Sequence, residues 1–227
     1  MVPKKSPAPK RRRSAGARAS FLQALVDQAK VLLRTSGSDA VTIRAVTEPL
    51  GVSQMAFYTY FKSRAELLRA VWSECIGDLQ HALLTAAAPD AAPREALRAH
   101  VETFLRYWEQ NPDLYRIVYN PALSIESTPE TVRADPVYSE MLELGRRRVA
   151  AVIGAQPRDA AVLTLGEQIF TKGVGYLQTV LVLRRYPVAD PARLRAWVVD
   201  DIVEGVVRHR VELPGVPEPA PKKRQKR

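Results

Sequence analysis

Apolar residues recur every three or four positions along most of this chain, which is the spacing that places them on one face of an α-helix. The first run begins at Phe21 and ends before the segment TSGSD. Longer runs lie at residues 63–86, 93–110, 138–155, 157–183 and 191–211. No stretch shows the sustained alternation of a strand. The pattern therefore predicts an all-α fold of about nine helices.

Two short helices are predicted between the first run and the run at residues 63–86, so the latter is the fourth helix. Thr42 and Ser53 are N-cap residues for them, and Gly51 stands in the turn between them, where a positive φ is needed. The fourth helix starts at a capping box formed by Ser63 and Glu66. On the first short helix, the spacing places Ile43, Val46 and Leu50 inward and Arg44, Thr47 and Glu48 outward.

The second short helix is unusually aromatic, in the stretch GVSQMAFYTYFKSRAELL from residue 51 to 68. At about 100° per residue, Phe57 and Phe61 fall on one side, and Gln54 and Tyr58 on the opposite arc. Tyr60 sits at the edge. Two short helices joined by a tight turn form a helix-turn-helix, whose second helix enters the DNA major groove. An ordinary helical hairpin whose tyrosines cover a core is the alternative.

The side chains on the outward arc suit different parts of a DNA duplex. Gln54 can pair with adenine and Arg44 with guanine, and Met55 and Ala56 can contact thymine methyl groups. The expected phosphate contacts, which set register without reading sequence, are Thr42, Tyr58, Thr59, Tyr60, Lys62 and Arg64.

The net charge of +10 is concentrated at the two ends of the chain. Residues 1–20 hold seven Lys or Arg and no acid, residues 221–227 hold five more, and the body between them is close to neutral. We expect residues 1–19 to be a disordered basic arm that contacts DNA phosphates and residues 214–227 to be a disordered basic tail. A merely solubilising role is the alternative for the tail.

The segment VTIRAVTEPLGVSQMAFYTYFKSRAELL resembles the DNA-binding signature of TetR-family transcriptional regulators, with the likeness extending over Phe21–Leu68. The resemblance implies a DNA-binding domain at residues 20–65 and a helical ligand-binding and dimerisation domain at residues 66–213. It also implies a homodimer that binds a palindromic DNA operator, usually as a repressor, and leaves it when a small-molecule effector binds. Pro49 departs from the family pattern, and we expect the second helix to end early or kink there.

The second half of the chain supplies candidate effector and dimer residues. Ordinary core packing is the alternative for each aromatic residue taken singly. The candidate pocket residues are Phe104, Trp108, Tyr115, Tyr119, Tyr138, Met141, Phe170 and Tyr176. By position in the family, the last two helices form the dimer interface, and the residues expected there or in the core behind it are Leu177, Val180, Leu181, Trp197, Val198, Ile202 and Val206.

Enzymatic and metal-binding motifs are not evident in the sequence. The single cysteine, Cys75, excludes an internal disulfide, and His81, His100 and His209 lack partners at metal-ligand spacing. We expect no metal, no cofactor, no membrane span and no catalysis, and a cytoplasmic, nucleoid-associated protein. The rival functions are an architectural DNA-coating protein that uses the basic tails and an enzyme with an unrecognised C-terminal active site.

Overall fold

Helices account for almost all regular structure in the computed structural model, which describes residues 10–119, 135–183 and 186–212. Nine α-helices lie in these ranges, with no strand among them, as predicted. They are α1 (Lys10–Ser36), α2 (Ile43–Thr47), α3 (Gln54–Phe57), α4 (Arg64–Leu84), α5 (Pro93–Gln110), α6 (Pro112–Tyr119), α7 (Pro136–Ile153), α8 (Ala160–Leu177) and α9 (Pro191–Glu212). Short 3₁₀ helices occupy Ser38–Ala40 and Glu48–Leu50, and a π-helical turn follows α8 at Gln178–Val182.

The chain divides into two units. We name residues 1–77 with 111–130 the N-terminal unit, and residues 78–110 with 131–227 the C-terminal unit. Helix α4 contributes residues to both. The division falls later than the boundary after residue 65 that we predicted, and it assigns α6 to the N-terminal unit.

The N-terminal unit buries the apolar stripes of α1, α2, α3 and the first part of α4. Hydrogen-bonded and ionic contacts also join α1 to α4. Lys30 forms an ion pair with Glu74 at 2.8 Å, and the Gln23 side-chain amide donates to Glu74 at 2.7 Å. The fully or nearly fully buried core residues include Leu25, Ala29, Leu33, Val46, Phe57, Phe61, Leu67 and Val71. This packing holds the short helices α2 and α3, which are too short to be stable alone.

The C-terminal unit packs α5 against α7, α8 and α9. Its core is aliphatic around Trp108, and ion pairs bridge the helices at the surface. Arg98 of α5 pairs with Asp200 of α9 at 2.5 Å, and Lys172 of α8 pairs with Asp201 at 2.6 Å. The main buried residues are Leu97, Val101, Leu105, Trp108, Val149, Ile153, Val162, Leu177, Val199 and Val203.

Two predicted helix starts were wrong. Helix α1 begins at Lys10, so residues 10–19 of the predicted disordered arm are helical, and residues 1–9 lie outside the described part. Helix α8 begins at Ala160 and not at Pro157, because Asp159 stands at its N-cap position in an extended conformation. The predicted basic tail also lies outside the described residues.

Candidate DNA-binding surface

The helix-turn-helix is built by the local signals that predicted it. The Thr42 hydroxyl accepts a hydrogen bond from the Ala45 amide at 3.1 Å, and the Ser53 hydroxyl accepts from the Ala56 amide at 3.3 Å. Gly51 has φ 66° and ψ 26°, the left-handed conformation that glycine adopts without a Cβ clash. The chain therefore reverses between α2 and α3 within a few residues.

Pro49 ends the second helix, as expected. Helix α2 stops at Thr47, and residues 48–50 tighten into a 3₁₀ helix with Pro49 in its first turn. Thr47 itself is buried, although we predicted it to face outward. Its hydroxyl donates to the Ile43 carbonyl at 2.9 Å, which removes the cost of burying a polar group.

The exposed face of α3 and its C-cap carries side chains that we predicted to contact DNA, Gln54 and Met55 at bases and Tyr58 at phosphates. Met55 is 76% exposed and Tyr58 is 51% exposed, and Gln54 is also exposed. Phe57, between them, is 0% exposed and anchors the helix from below. Ala56 is half-buried. Gln54, Met55 and Tyr58 are therefore presented to solvent, where a partner can reach them.

The α-helix covers only Gln54–Phe57, although the spacing predicted that it continues to Phe61. The next residues continue as a turn, because the Tyr60 and Phe61 amides both donate to the Phe57 carbonyl, at 2.9 and 3.0 Å. Thr59 and Lys62 are exposed beside this turn.

Tyr60 is held by two residues of α1 that sequence reasoning missed. The Phe21 ring lies 4.8 Å from the Tyr60 ring, and the Arg18 guanidinium lies 5.6 Å from its centroid. Arg18 is exposed and makes a cation–π contact, which links the basic start of α1 to the turn after α3. No feature of the sequence near Tyr60 indicates these contacts, because Phe21 and Arg18 lie about forty positions earlier in the chain.

Two arginines predicted to contact DNA already have intramolecular bonds. Arg64 donates to the Val41 and Ser38 carbonyls, both at 2.6 Å, and so ties the start of α4 to the loop before α2. Arg44 pairs with Glu48 at 3.3 Å, and both side chains are well exposed. The first arginine has a structural role that we did not predict, whereas the second has a weak bond that solvent screens.

The candidate pocket residues are divided between the two units. Tyr115 and Tyr119 belong to the N-terminal unit, where their rings lie 4.6 Å apart. The other six are in the C-terminal unit, where Phe170 is 44% exposed and therefore lies at the surface. The buried ones are Trp108, Met141 and Tyr176, and the half-buried ones are Phe104 and Tyr138.

Tyr176 takes part in a polar cluster. Its hydroxyl donates to the Glu109 carboxylate and also lies 3.0 Å from the Pro191 carbonyl oxygen, and Glu109 pairs with Arg195. Burial and then the Glu109 carboxylate raise the pKa of Tyr176 well above its usual range, so the phenol stays protonated. We name Glu109, Tyr176 and Arg195 the interhelical polar cluster, because it joins α5, α8 and α9.

Most residues predicted for the dimer interface are buried within a single chain. Leu177, Val198, Ile202 and Val206 are core residues, since α8 and α9 pack on each other and on α5. Trp197 is 63% exposed, and Val180 and Leu181 are half-buried. Two further apolar residues of α8, Leu163 and Phe170, are exposed.

Neither a metal-ion site nor a membrane-spanning helix is present in the part of the chain that the structure describes. No group of three His, Cys, Asp or Glu residues there is arranged to hold a metal ion. Among the same residues, no helix is long and apolar enough to cross a membrane.

The geometry defines a helix-turn-helix DNA-binding protein with an additional helical unit. The family profile described as bacterial regulatory proteins of the tetR family matches residues 25–71. This segment spans the second part of α1, all of α2 and α3, and the first turns of α4. The matched segment, residues 25–71, is therefore a TetR-type DNA-binding region. Regulators of this family bind DNA operators and usually act as dimers.

Known proteins resemble the chain along most of its length. It is 28% identical to the nucleoid occlusion factor SlmA of Vibrio campbellii, over 58% of this chain and 65% of that protein, which is less than two thirds of its length. The TetR-family regulator PfmR of Thermus thermophilus has a TM-score of 0.58 and 21% identity, with 79% of this chain and 97% of PfmR covered. A TetR/AcrR-family regulator of Thermobifida fusca has a TM-score of 0.64 and 18% identity, and the match covers 82% of this chain and 98% of that regulator.

Proposed function

We propose that this protein is a sequence-specific transcriptional repressor that binds a palindromic operator as a homodimer and releases it when a small molecule binds the C-terminal unit. The observation that carries the proposal is the exposure of Gln54, Met55 and Tyr58 above a buried Phe57. Gln54 and Met55 stand at the start of α3, the part of a recognition helix that meets base edges. We also propose that the protein acts in the cytoplasm, on the nucleoid.

A DNA-selection experiment followed by binding measurements tests the proposal. Random duplexes bound by the purified protein are sequenced, and affinities for the selected site and for random DNA are compared at two salt concentrations. A specific repressor should prefer its selected palindrome by about a thousandfold or more. An architectural protein that uses its basic tails would bind both alike, with a steep salt dependence, and that result would refute the proposal.

Variants with matched controls test whether α3 recognises the DNA sequence. Gln54→Ala should weaken binding about tenfold or more and relax the preference at one A·T pair, whereas Gln110→Ala, at an exposed position of α5, should leave binding unchanged. Tyr58→Ala should weaken binding to all sequences, because it removes a phosphate contact. Tyr186→Ala is its control, since Tyr186 is exposed in the C-terminal unit.

For the dimer we propose a surface formed by the exposed apolar residues of α8 and α9. Leu163 and Phe170 are seven positions apart and so lie on one face of α8, and Trp197 is the largest exposed residue of α9. Burial of such residues against a second copy would remove apolar area from water. Phe170→Asp and Trp197→Asp should each produce monomers in sedimentation experiments, with weaker operator binding. Leu183→Asp is a comparison at another exposed apolar residue.

Effector release would work through linkage between the two units. A ligand that favours a conformation with the two recognition helices wrongly spaced lowers DNA affinity, and DNA lowers ligand affinity by the same factor. Measuring both affinities, each with and without the other ligand, checks this reciprocity. A coupling factor of one, at which neither ligand changes the affinity for the other, would exclude release by an effector.

A further inference from the structure

A histidine and an arginine with unbonded polar atoms meet inside the C-terminal unit. His100 of α5 has its Nδ1 atom buried with no hydrogen-bond partner, and Arg148 of α7 has its Nε atom buried in the same condition. Burial, and then the neighbouring Arg148 cation, lower the pKa of His100 to about 4, so its ring is neutral at pH 7. Buried nitrogen atoms left unbonded are uncommon, because each costs free energy in the folded state.

Arg148 also lacks a counter-ion within the described residues. Four of the five acids on α5 and α7 are held by other side chains, and the fifth, Glu95, is exposed in the first turn of α5. The four pairs are Glu102 with Arg106, Glu109 with Arg195, Glu140 with Gln80, and Glu143 with Arg146. An arginine that is partly buried at its Nε atom and has no acid partner is complementary to an anion.

A close helix contact and apolar side chains lie beside these two residues. Gly145 faces His100, since a Cβ placed on it would lie 3.6 Å from His100 Nε2. On α7, Tyr138, Met141, Gly145 and Arg148 follow the three-and-four spacing of a single helix face. Phe104 comes one turn after His100 on α5. Polar groups and apolar side chains therefore follow one another along the same strip.

We propose that His100 and Arg148 form an anion-binding subsite in the C-terminal unit, and that the effector is a small carboxylate with an apolar body. The Arg148 guanidinium would pair with the carboxylate, and the His100 ring would donate a hydrogen bond to it. The apolar body would lie toward Met141 and Phe104. This inference rests on the proposed function, because it names the chemical class of the effector.

The test compares carboxylates with uncharged molecules of the same shape, in the absence of DNA. Benzoate and octanoate are titrated to millimolar concentrations, with benzyl alcohol and octan-1-ol in parallel, and the His100 ring resonances are followed by NMR while calorimetry gives the affinity. At least one carboxylate should shift the His100 resonances and bind about tenfold or more tightly than its alcohol. No shift with either carboxylate, or equal binding of acid and alcohol, overturns the proposal.

Arginine variants locate the subsite. Arg148→Gln should lower carboxylate affinity about tenfold or more, Arg148→Lys should retain part of it, and Arg147→Gln, at the exposed neighbouring position, should retain all of it. Circular dichroism checks that each variant folds, and His100→Asn replaces Arg148→Gln if that variant does not. Equal losses in Arg148→Gln and Arg147→Gln would contradict the assignment. Operator binding by the wild-type protein is measured separately, so loss of this subsite and failure of the DNA-binding proposal give different results.

Discussion

The two units present different side chains at the sites proposed for them. The N-terminal unit exposes Met55 of α3 and Tyr58 at its C-cap, whereas the C-terminal unit holds ionisable groups partly inside, with the Nδ1 atom of His100 buried and the Arg195 side chain only 13% exposed. Exposed apolar groups and buried polar groups both cost free energy, so each is informative where it occurs. A surface that binds a DNA duplex needs side chains exposed to solvent. A site that encloses a polar small molecule needs polar groups within the protein. The contrast is what the two proposed roles require.

Phe57 and Tyr58, which are adjacent at the end of α3, provide the test with the largest expected effect. Phe57→Ala should destabilise the protein by about 3–5 kcal/mol, because Phe57 is fully buried and its removal leaves a cavity. Tyr58→Ala should change stability by less than about 1 kcal/mol, since half of that side chain is already in water. Chemical denaturation gives both values. Similar losses for the two variants would show that Tyr58 is a core residue and not a presented one.

The interhelical polar cluster offers the next largest effect. Glu109→Gln should destabilise the protein by about 3 kcal/mol, because the Arg195 side chain is only 13% exposed and would lose its counter-ion. Glu102→Gln is the matched control on the same helix, where the pair with Arg106 is half exposed and should contribute less than about 1 kcal/mol. The two variants are compared by thermal unfolding at one pH. A control loss as large as that of Glu109→Gln would mean that burial does not set the strength of these pairs.

Acid should destabilise the protein through His100. Its pKa in the folded state is about 4 against 6.5 in the unfolded chain, so the unfolded chain takes up a proton first as the pH falls. The stabilisation is complete above pH 6.5 and is lost between there and pH 4, by about 2–3 kcal/mol. His100→Phe should flatten this part of the pH profile, and His81→Phe, at an exposed position of α4, should leave it as in the wild type. A profile unaltered by His100→Phe would contradict the buried neutral ring.

Much of the fold could be predicted because its signals are local. Ser53, Gly51 and Pro49 each act on their own backbone within a few residues, so a single sequence shows where α2 ends and α3 begins. The exposure of Gln54, Met55 and Tyr58 also followed from helical spacing alone. The starts of helices were harder. Residues 10–19 carry no apolar stripe, but they are rich in Arg and Ala, which favour helix without needing a core.

The features that could not be predicted depend on residues far apart in the sequence. Nothing near Tyr60 indicates that Arg18 will lie over its ring, and nothing near His100 indicates that Arg148 will face it. Periodicity also assigns every polar residue to water, which failed for Thr47 because its hydroxyl bonds to a backbone carbonyl of its own helix. The exposure of Phe170 was not predicted. The apolar pattern of one chain does not distinguish a helix face that packs in the core from a helix face at the surface.

The smallest expected effect concerns the ion pair at the edge of the candidate DNA-binding surface. Glu48→Gln should change stability by less than about 0.5 kcal/mol, because both members of its pair with Arg44 are exposed. Operator affinity should nevertheless rise roughly two- to fivefold at low salt, since the substitution frees Arg44 and removes a negative charge beside the phosphates. The gain should shrink at high salt, where both charges are screened. Glu167→Gln, at an exposed position of α8, removes the same charge elsewhere and is the control. Equal gains in the two variants would assign the effect to net charge, and Arg44 would then have no special place on the DNA.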